Sequence, residues 1–180
     1  MVYMFLADGF EESEAIVPLD MLKRGGVDIK TVSITDNNIV NGSHGIAVMT
    51  DITVSEMTDE PLEMVILPGG MPGASNLRSN EAVVKAVTET YNNGGYVAAI
   101  CAAPYILGEL GLLKGKKAVC YPGFEDKCPG AVMLDRQVSV DGNVITGRAM
   151  GAACEFGLAL ASALRGKEAA DKVASSAFIM

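Results

Sequence analysis

The stretch Val97–Leu107 reads VAAICAAPYIL and decides the fold that we expect. Its apolar first half is typical of a buried β-strand, and two small residues and a proline then lead directly into a helical segment. Cys101 lies at the corner between them, with Ala99 two residues before it and Ala103 two residues after it. This small-x-nucleophile-x-small spacing predicts a nucleophile elbow, a sharp strand-to-helix turn that exposes a reactive side chain.

The corner position suggests how Cys101 could become reactive. The first N–H groups of a helix have no partner within the helix and its dipole is positive there, so we expect the pKa of Cys101 to be lowered toward thiolate. The alternative is an inert core residue, which is the usual fate of a cysteine in an apolar run. The stretch by itself leaves both interpretations open.

Composition narrows the class of protein. A chain of 180 residues is the size of one domain, and we expect residues 1–180 to form one. Hydrophobic residues make up 49% and charged residues 20%, with 20 glycines, which is typical of an α/β protein. The net charge of −8, without a Lys/Arg cluster, argues against a nucleic-acid or anionic-membrane surface. Small molecules or proteins are the expected partners.

The cysteines and the termini suggest a compartment. The four cysteines form no C-x-x-C pair, and the chain has a single histidine, so we expect reduced thiols and no metal site. The apolar run Val2–Ala7 is too short for a signal-peptide core, and no run approaches the ~18 residues of a membrane span. We therefore expect a cytoplasmic protein.

Strand and helix patterns alternate along the chain. Strands are predicted at Val2–Ala7, Val27–Ile34, Glu63–Pro68, Val97–Ile100 and Ala118–Tyr121, helices at Phe10–Gly25, Glu81–Tyr91, Tyr105–Leu113 and Ala149–Leu164, and hairpins at Asn41-Gly42 and Asp141-Gly142. Gly151 and Gly157 should let the last helix lie close to the sheet. This order predicts a doubly wound α/β sandwich.

Three strand ends should converge at one edge of that sheet, namely Asp8–Glu14, Gly69–Gly73 and Cys101–Ala103. The Gly-Gly-x-x-Gly spacing of the second matches neither dinucleotide nor P-loop motifs, so we predict that its N–H groups serve as oxyanion donors.

Charged residues near these strand ends can also be surface residues without a functional role. Glu11, Glu12 and Glu14 occupy the first helical turn, where most carboxylates are solvated and complement the helix dipole. We expect this of Glu11 and Glu12, and we expect a functional role only for Glu14. His44, in the first hairpin, is either a surface residue or part of a functional site or interface.

Four motifs in order resemble the ThiJ/PfpI superfamily, specifically the group of the Parkinson-linked protein deglycase. They are LADGFEESE (residues 6–14), LPGG (67–70), AAICAAP (98–104) and Glu155-Phe156. The resemblance implies a flavodoxin-like homodimer whose reactive cysteine corresponds to Cys101. It also implies that Glu14 is the protonated glutamate beside the thiolate, and that Gly69, Gly70 and Ala102 line the pocket.

Two positions depart from relatives in that superfamily. Ala102 follows the cysteine where the protease-like and chaperone-like branches carry histidine, so a Cys-His hydrolase is disfavoured. Tyr121 stands where the deglycase has a histidine. A phenol is a poor base at pH 7 but can orient a substrate by a hydrogen bond, and the alternative is a packed aromatic at a strand end.

The leading hypothesis is a glyoxalase or deglycase that needs neither metal nor cofactor. It would act on methylglyoxal-like α-oxoaldehydes or their early adducts, with Cys101 as nucleophile and Glu14 as proton relay. The alternative is an oxidative-stress sensor or chaperone without turnover, in which Cys101 becomes a sulfinic acid. Thiazole-phosphate biosynthesis has no support in the sequence. For the homodimer, the first helix with Arg24 and the hairpin around His44 are the candidate surfaces.

Overall fold

The computed structural model describes residues 1–179. Its strands are β1 (Val2–Leu6), β2 (Ile29–Ser33), β3 (Ile39–Asn41), β4 (Ala47–Met49), β5 (Ile52–Thr53), β6 (Met64–Leu67), β7 (Tyr96–Ile100), β8 (Lys117–Ala118), β9 (Val132–Met133), β10 (Val138–Asp141) and β11 (Val144–Gly147). Its α-helices are α1 (Glu12–Arg24), α2 (Gly73–Ser79), α3 (Glu81–Asn92), α4 (Pro104–Glu109), α5 (Ala153–Arg165) and α6 (Lys167–Ser176).

A seven-stranded sheet forms the centre of the molecule, in the order β10-β11-β7-β6-β1-β2-β5. Its strands pair in parallel except at one edge, where β10 runs antiparallel to β11. Strands β1 and β6 are buried along their whole length, as expected for parallel strands covered on both faces. The run β2-β1-β6-β7-β11 has the flavodoxin-like order, so the predicted doubly wound α/β fold is confirmed.

Each face of the sheet carries its own core. Alternate residues of β1 point to opposite faces, so Tyr3 and Phe5 pack with α2, α3 and α4, whereas Met4 and Leu6 pack with α1, α5 and α6. Both cores continue past the carboxyl ends of the strands, because Ala102 and Ala103 after β7 belong to one core and Phe10 after β1 belongs to the other. The loops that leave those ends are bonded to one another, since the Glu11 N–H donates to the Gly69 carbonyl and the Gly73 N–H donates to the Gly9 carbonyl.

Several local predictions were wrong. Gly157 brings α5 close to α1 rather than to the sheet, since a Cβ there would lie 3.1 Å from the Pro18 Cα, and Gly151 is exposed. Only Ala118 of the predicted strand Ala118–Tyr121 is in a strand, and it pairs outside the main sheet. Helix α4 ends at Glu109, and α2 was not predicted. Both hairpins are present, but the first has a five-residue loop.

Within residues 1–179, no helix combines the length and the apolar character needed to cross a lipid bilayer.

Candidate active site

Cys101 occupies the strained turn between β7 and α4. Its φ of +64° lies in the left-handed region, which a side chain other than that of glycine rarely adopts. Two backbone hydrogen bonds hold the turn, because the Cys101 N–H donates to the Gly147 carbonyl at 3.0 Å and its carbonyl accepts from the Tyr121 N–H at 2.7 Å. The predicted nucleophile elbow is therefore present, with a half-buried thiol at its tip.

Glu14 projects from the first turn of α1 toward this thiol. Its backbone N–H donates to the side chain of Glu11 at 2.7 Å, which caps the helix and fixes its start. The carboxyl group is only 1% exposed, accepts from the Gly69 N–H at 3.1 Å and is hydrogen-bonded to Cys101. A buried acid thus faces the candidate nucleophile directly.

The glycine loop after β6 fits between these two side chains. A Cβ on Gly69 would lie 2.5 Å from a carboxyl oxygen of Glu14 and 2.6 Å from the Cys101 Cβ, so only glycine is accommodated there. Gly70 has a φ of +87° and lies against the backbone of Gly9, Phe10 and Glu11. The three strand ends therefore converge, as the alternation of strands and helices predicted.

The backbone donors of this loop face different groups from those we expected. The Gly69 N–H binds Glu14, whereas the N–H groups of Gly70 and Ala102 are hydrogen-bonded to the Cys101 sulfur. Ala102 itself is buried. Two N–H groups aimed at one sulfur stabilise its anionic form before any substrate arrives.

The two ionisable groups influence each other strongly. Burial raises the pKa of Glu14 to about 7, against the lowering effect of its hydrogen bonds to Cys101 and Gly69. Burial and the neighbouring Glu14 charge raise the pKa of Cys101 to about 12, while the Ala102 and Gly70 N–H groups lower it. The pair therefore keeps one proton between two anionic sites across the neutral and mildly alkaline range.

The expected lowering of the Cys101 pKa was thus wrong. Helix α4 has six residues and provides only a weak dipole, while burial and the Glu14 carboxylate disfavour a second negative charge. With the shared proton on Glu14, that charge is removed and both N–H groups support the thiolate. The identity of the proton holder, more than the helix dipole, decides whether Cys101 is nucleophilic.

Glu12 was expected to be solvated, and this was also wrong. Glu12 is 6% exposed and anchors the β3–β4 hairpin. Its carboxylate accepts from the His44 N–H at 2.7 Å and from the Ile46 N–H at 3.4 Å, and it pairs with the His44 ring at 2.8 Å. A Cβ on Gly42 would lie 2.2 Å from a Glu12 oxygen. The glycine at the predicted hairpin turn was the only sequence feature that could have indicated this contact.

Glu11, Glu12 and His44 could offer three metal-ligand atoms within 4.8 Å of one another. The Glu12 oxygens are already engaged by backbone and ring donors of the hairpin, which accounts for the arrangement without an ion. The expectation that the chain binds no metal and no cofactor stays a prediction.

Tyr121 lies at the rim of the elbow. Its side chain is 47% exposed and its ring packs edge-on against Phe124, with centroids 6.5 Å apart. Its N–H is the group that binds the Cys101 carbonyl. The residue is therefore both a packed aromatic and a neighbour of the candidate nucleophile.

Comparisons with known proteins identify the family of this chain. Residues 1–163 match the model of the DJ-1/PfpI family. Protein DJ-1 homolog B of Arabidopsis thaliana is 39% identical over 93% of this chain, and the chain spans only 39% of that relative's length. Deglycase PfpI of Pyrococcus furiosus is 35% identical over 82% of this chain and 90% of its own.

A solved structure extends the similarity to three dimensions. Oxidized DJ-1 of Toxoplasma gondii superposes with a TM-score of 0.94 at 35% identity, covering 98% of this chain and 97% of its own. Similarity in sequence and in fold runs through the strand ends that carry Glu14, Gly69 and Cys101. The chain belongs to the DJ-1/PfpI family.

Proposed function

We propose that this chain is a cysteine-dependent enzyme of glyoxalase or deglycase type, acting on methylglyoxal-like α-oxoaldehydes or their early adducts. The proposal rests on the buried carboxyl group of Glu14, which is hydrogen-bonded to Cys101. Burial raises the pKa of this carboxyl group to about 7. An acid with that pKa can give and take a proton at neutral pH. The Pyrococcus relative is named a deglycase, which supports the same class.

In the proposed reaction, Cys101 attacks the aldehyde carbon and Glu14 passes its proton to the oxygen, giving a hemithioacetal. Glu14, now a carboxylate, takes the proton from that carbon while the hydroxyl proton moves to the neighbouring carbonyl oxygen by way of an enediol. Glu14 then returns its proton to the neighbouring carbon, which yields a thioester. Water then cleaves the thioester and releases lactate from methylglyoxal, or glycolate from glyoxal. Every proton transfer uses a group within reach of the Cys101 sulfur.

The N–H groups of Gly70 and Ala102 have two successive tasks in this scheme. They stabilise the thiolate before attack, and afterwards the negative charge moves to an oxygen two bonds from the same sulfur. Gly69 acts through Glu14, since its N–H holds the carboxyl in place. Donors fixed by backbone cost no reorganisation during the reaction. We assign Tyr121 to the pocket rim, where its phenol can orient the substrate.

The proposal can be tested with purified protein and methylglyoxal. We expect Cys101→Ser to lower turnover by about 100-fold or more, because a hydroxyl is not ionised at neutral pH, and Glu14→Gln to lower it similarly. Cys154→Ser, at an exposed cysteine outside the pocket, is the matched control. Trapping of free aldehyde by amine buffer must be subtracted. Retention of turnover by Cys101→Ser would refute the mechanism.

A second candidate is oxidation sensing at Cys101, as in the alternative hypothesis. It is favoured by the similarity to a DJ-1 structure that is described as oxidized. Glu14 in its protonated form could donate to the sulfinate that two oxygen additions produce. Intact mass after mild peroxide distinguishes the two functions: oxidation confined to Cys101, in a protein without methylglyoxal turnover, would favour sensing.

The homodimer is a proposal as well. The β3–β4 hairpin exposes Ile39, Ile46 and Met49, at 53%, 59% and 78%, and Ile16 of α1 is 40% exposed. Ile39 and Met49 are paired across the hairpin, and exposed apolar side chains of this kind favour an interface. Sedimentation equilibrium should give twice the chain mass, and a Met49→Lys variant should shift the equilibrium toward monomer. A wild-type monomer at micromolar concentration would contradict the proposal.

A further inference from the structure

Three aromatic rings pack in a row beside the Cys101 elbow. The Tyr121 ring lies edge-on against Phe124 with centroids 6.5 Å apart, and the Phe124 ring lies 6.2 Å from that of Tyr105, on α4. The proposed reaction gives none of these rings a task. A row of rings next to a candidate nucleophile therefore calls for an account of its own.

The two inner rings are held in place by the protein. Tyr105 is buried, and its hydroxyl group donates to the Ala74 carbonyl at 3.3 Å. The Lys127 Nζ lies 4.9 Å from the centroid of the Phe124 ring and 5.6 Å from that of Tyr105, so a cation covers both rings. Tyr105 and Phe124 thus form a fixed support for the outer ring.

The outer ring, Tyr121, has free surface. Its side chain is 47% exposed, and among residues 1–179 its hydroxyl group has no hydrogen-bond partner. Packing against Phe124 therefore sets the orientation of the ring. An aromatic surface that is oriented before a ligand arrives loses little freedom when it binds one.

The backbone places Tyr121 directly beside the nucleophile. Its N–H donates to the Cys101 carbonyl at 2.7 Å, and its own carbonyl accepts from the Phe124 N–H at 3.1 Å. Backbones joined by a hydrogen bond lie about 5 Å apart. Because a phenyl group is of comparable length, one attached to a molecule that reacts with the Cys101 sulfur can reach the Tyr121 ring.

We propose that Tyr121 is a specificity-determining residue, an aromatic surface for the substituent of the molecule that reacts at Cys101. With the proposed function, on which the choice of aldehyde rests, the favoured substrates are aryl-substituted α-oxoaldehydes such as phenylglyoxal. The reaction is the one given above, and water would release mandelate from phenylglyoxal. Contact between two rings should favour an aryl substituent over a methyl group by about 5-fold.

The test measures alkylation of the full chain, which needs no turnover. Iodoacetamide and iodoacetanilide, its N-phenyl derivative, are compared at one pH, so the thiolate fraction of Cys101 cancels in the ratio of the two rates. Tryptic peptides 86–114 and 149–165 report Cys101 and the exposed Cys154 separately. The ratio at Cys154 corrects for the intrinsic reactivity of the two reagents.

Three variants decide the role of the Tyr121 ring. Tyr121→Ala should lower the corrected phenyl preference of Cys101 by about 5-fold, whereas Tyr121→Phe, which keeps the ring and loses the hydroxyl, should retain it. If Tyr121→Ala fails to fold, Tyr121→Leu takes its place. A ring that merely narrows the entrance would give the opposite sign, since its removal would favour the larger reagent.

Phe178→Ala is the matched control at an exposed aromatic. Phe178 follows α6, which packs beside Gly25 at the opposite end of α1 from Glu14, so the preference should stay unchanged. An equal or higher phenyl preference in Tyr121→Ala than in the wild type would overturn the proposal, and so would a loss in Tyr121→Phe as large as that in Tyr121→Ala.

Initial rates with phenylglyoxal and methylglyoxal separate this proposal from the proposed function. We expect the kcat/KM ratio of the two aldehydes to fall about 5-fold in Tyr121→Ala, through KM, and to persist in Tyr121→Phe. Turnover of both aldehydes with an unchanged ratio would overturn the role of Tyr121 alone. Turnover of neither, with the alkylation preference present, would refute the aldehyde chemistry and leave the aromatic surface established.

Discussion

Glu12 and Glu14 lie two residues apart on the first turn of α1, yet their carboxyl groups differ widely in pKa. Burial disfavours the charged form of both. Hydrogen bonds from His44 and Ile46 nonetheless lower the pKa of Glu12 to about 2, whereas the pKa of Glu14 is raised to about 7. Glu14 receives backbone N–H groups from Gly69 and Met150 and otherwise faces a thiol. Deeper burial raises the pKa of Glu14, whereas the donors from the hairpin outweigh burial at Glu12 and keep it a carboxylate.

The two carboxyl groups also have different roles, although they belong to the same helix turn. Glu12 ties α1 to the β3–β4 hairpin, 32 residues away at His44, and needs its charge to do so. Glu14 faces the elbow and, in the proposed reaction, exchanges its proton. Substitutions that remove the charge from each in turn should therefore have unlike consequences.

The largest effect is expected from Glu12→Ala. It removes the acceptor for two backbone N–H groups and for the His44 ring, so the free energy of unfolding should fall by about 4 kcal/mol at pH 7. Urea unfolding measures the loss. Glu12→Gln keeps an acceptor and should cost less. Equal stability of Glu12→Ala and wild type would contradict the role of Glu12 as an anchor.

The pH dependence of the Glu12 contribution has a definite sign. Its pKa is lower in the folded protein than the ordinary 4.5, so its stabilisation is complete above pH 4.5 and is lost as the pH falls toward about 2. The stability difference between wild type and Glu12→Ala should shrink over that window.

The sequence predicted the elbow region better than the hairpin anchor, for a physical reason. Strand and helix periodicity placed Cys101, Gly69 and Glu14 at the ends of neighbouring strands, and parallel topology then brings those ends together. Glu12 occupies a position where charge usually faces water, and its partner belongs to a distant hairpin. Contacts of that kind depend on how a loop folds back, which periodicity does not encode.

Charge states were harder to predict than positions. The expectation for Cys101 relied on a helix dipole together with a hydrogen bond from Glu14, but α4 is only six residues long and the charge of Glu14 raises the pKa of the thiol. The burial of the thiol and the charge of Glu14 depend on close packing around Gly69, where a Cβ would lie 2.5 Å from Glu14. Such proximity follows from the three-dimensional structure and not from spacing along the chain.

A smaller effect of opposite sign is expected for Glu14. Its pKa is higher in the folded protein, so between pH 4.5 and about 7 the folded chain holds a proton that the unfolded chain has lost. Stability should therefore fall as pH rises through this window, by at most about 3 kcal/mol from this group. Glu14→Gln should remove that dependence, as urea unfolding at pH 4.5 and 8 would show. An unchanged pH profile in the variant would mean that Glu14 ionises normally.

The smallest effect in energy is the most direct probe of the shared proton. Alkylation of Cys101 by iodoacetamide requires the thiolate, so in the wild-type protein its rate should rise as the pH passes about 7, where the Glu14–Cys101 pair loses its first proton. In Glu14→Gln, Cys101 must supply that proton itself, and its burial still opposes ionisation.

In Glu14→Gln, the pH at which the alkylation rate rises should therefore move up toward the ordinary thiol pKa of 9. At pH 7.5 the variant should react at about one tenth of the wild-type rate or more slowly. Mass spectrometry of the peptide that carries the exposed Cys154 gives an internal reference in the same sample, since that thiol lies outside the pair. If both proteins show the same inflection near pH 7, the ionisation belongs to Cys101 alone. Glu14 would then be a packed carboxyl group, and the contrast with Glu12 would concern stability without bearing on the chemistry of the elbow.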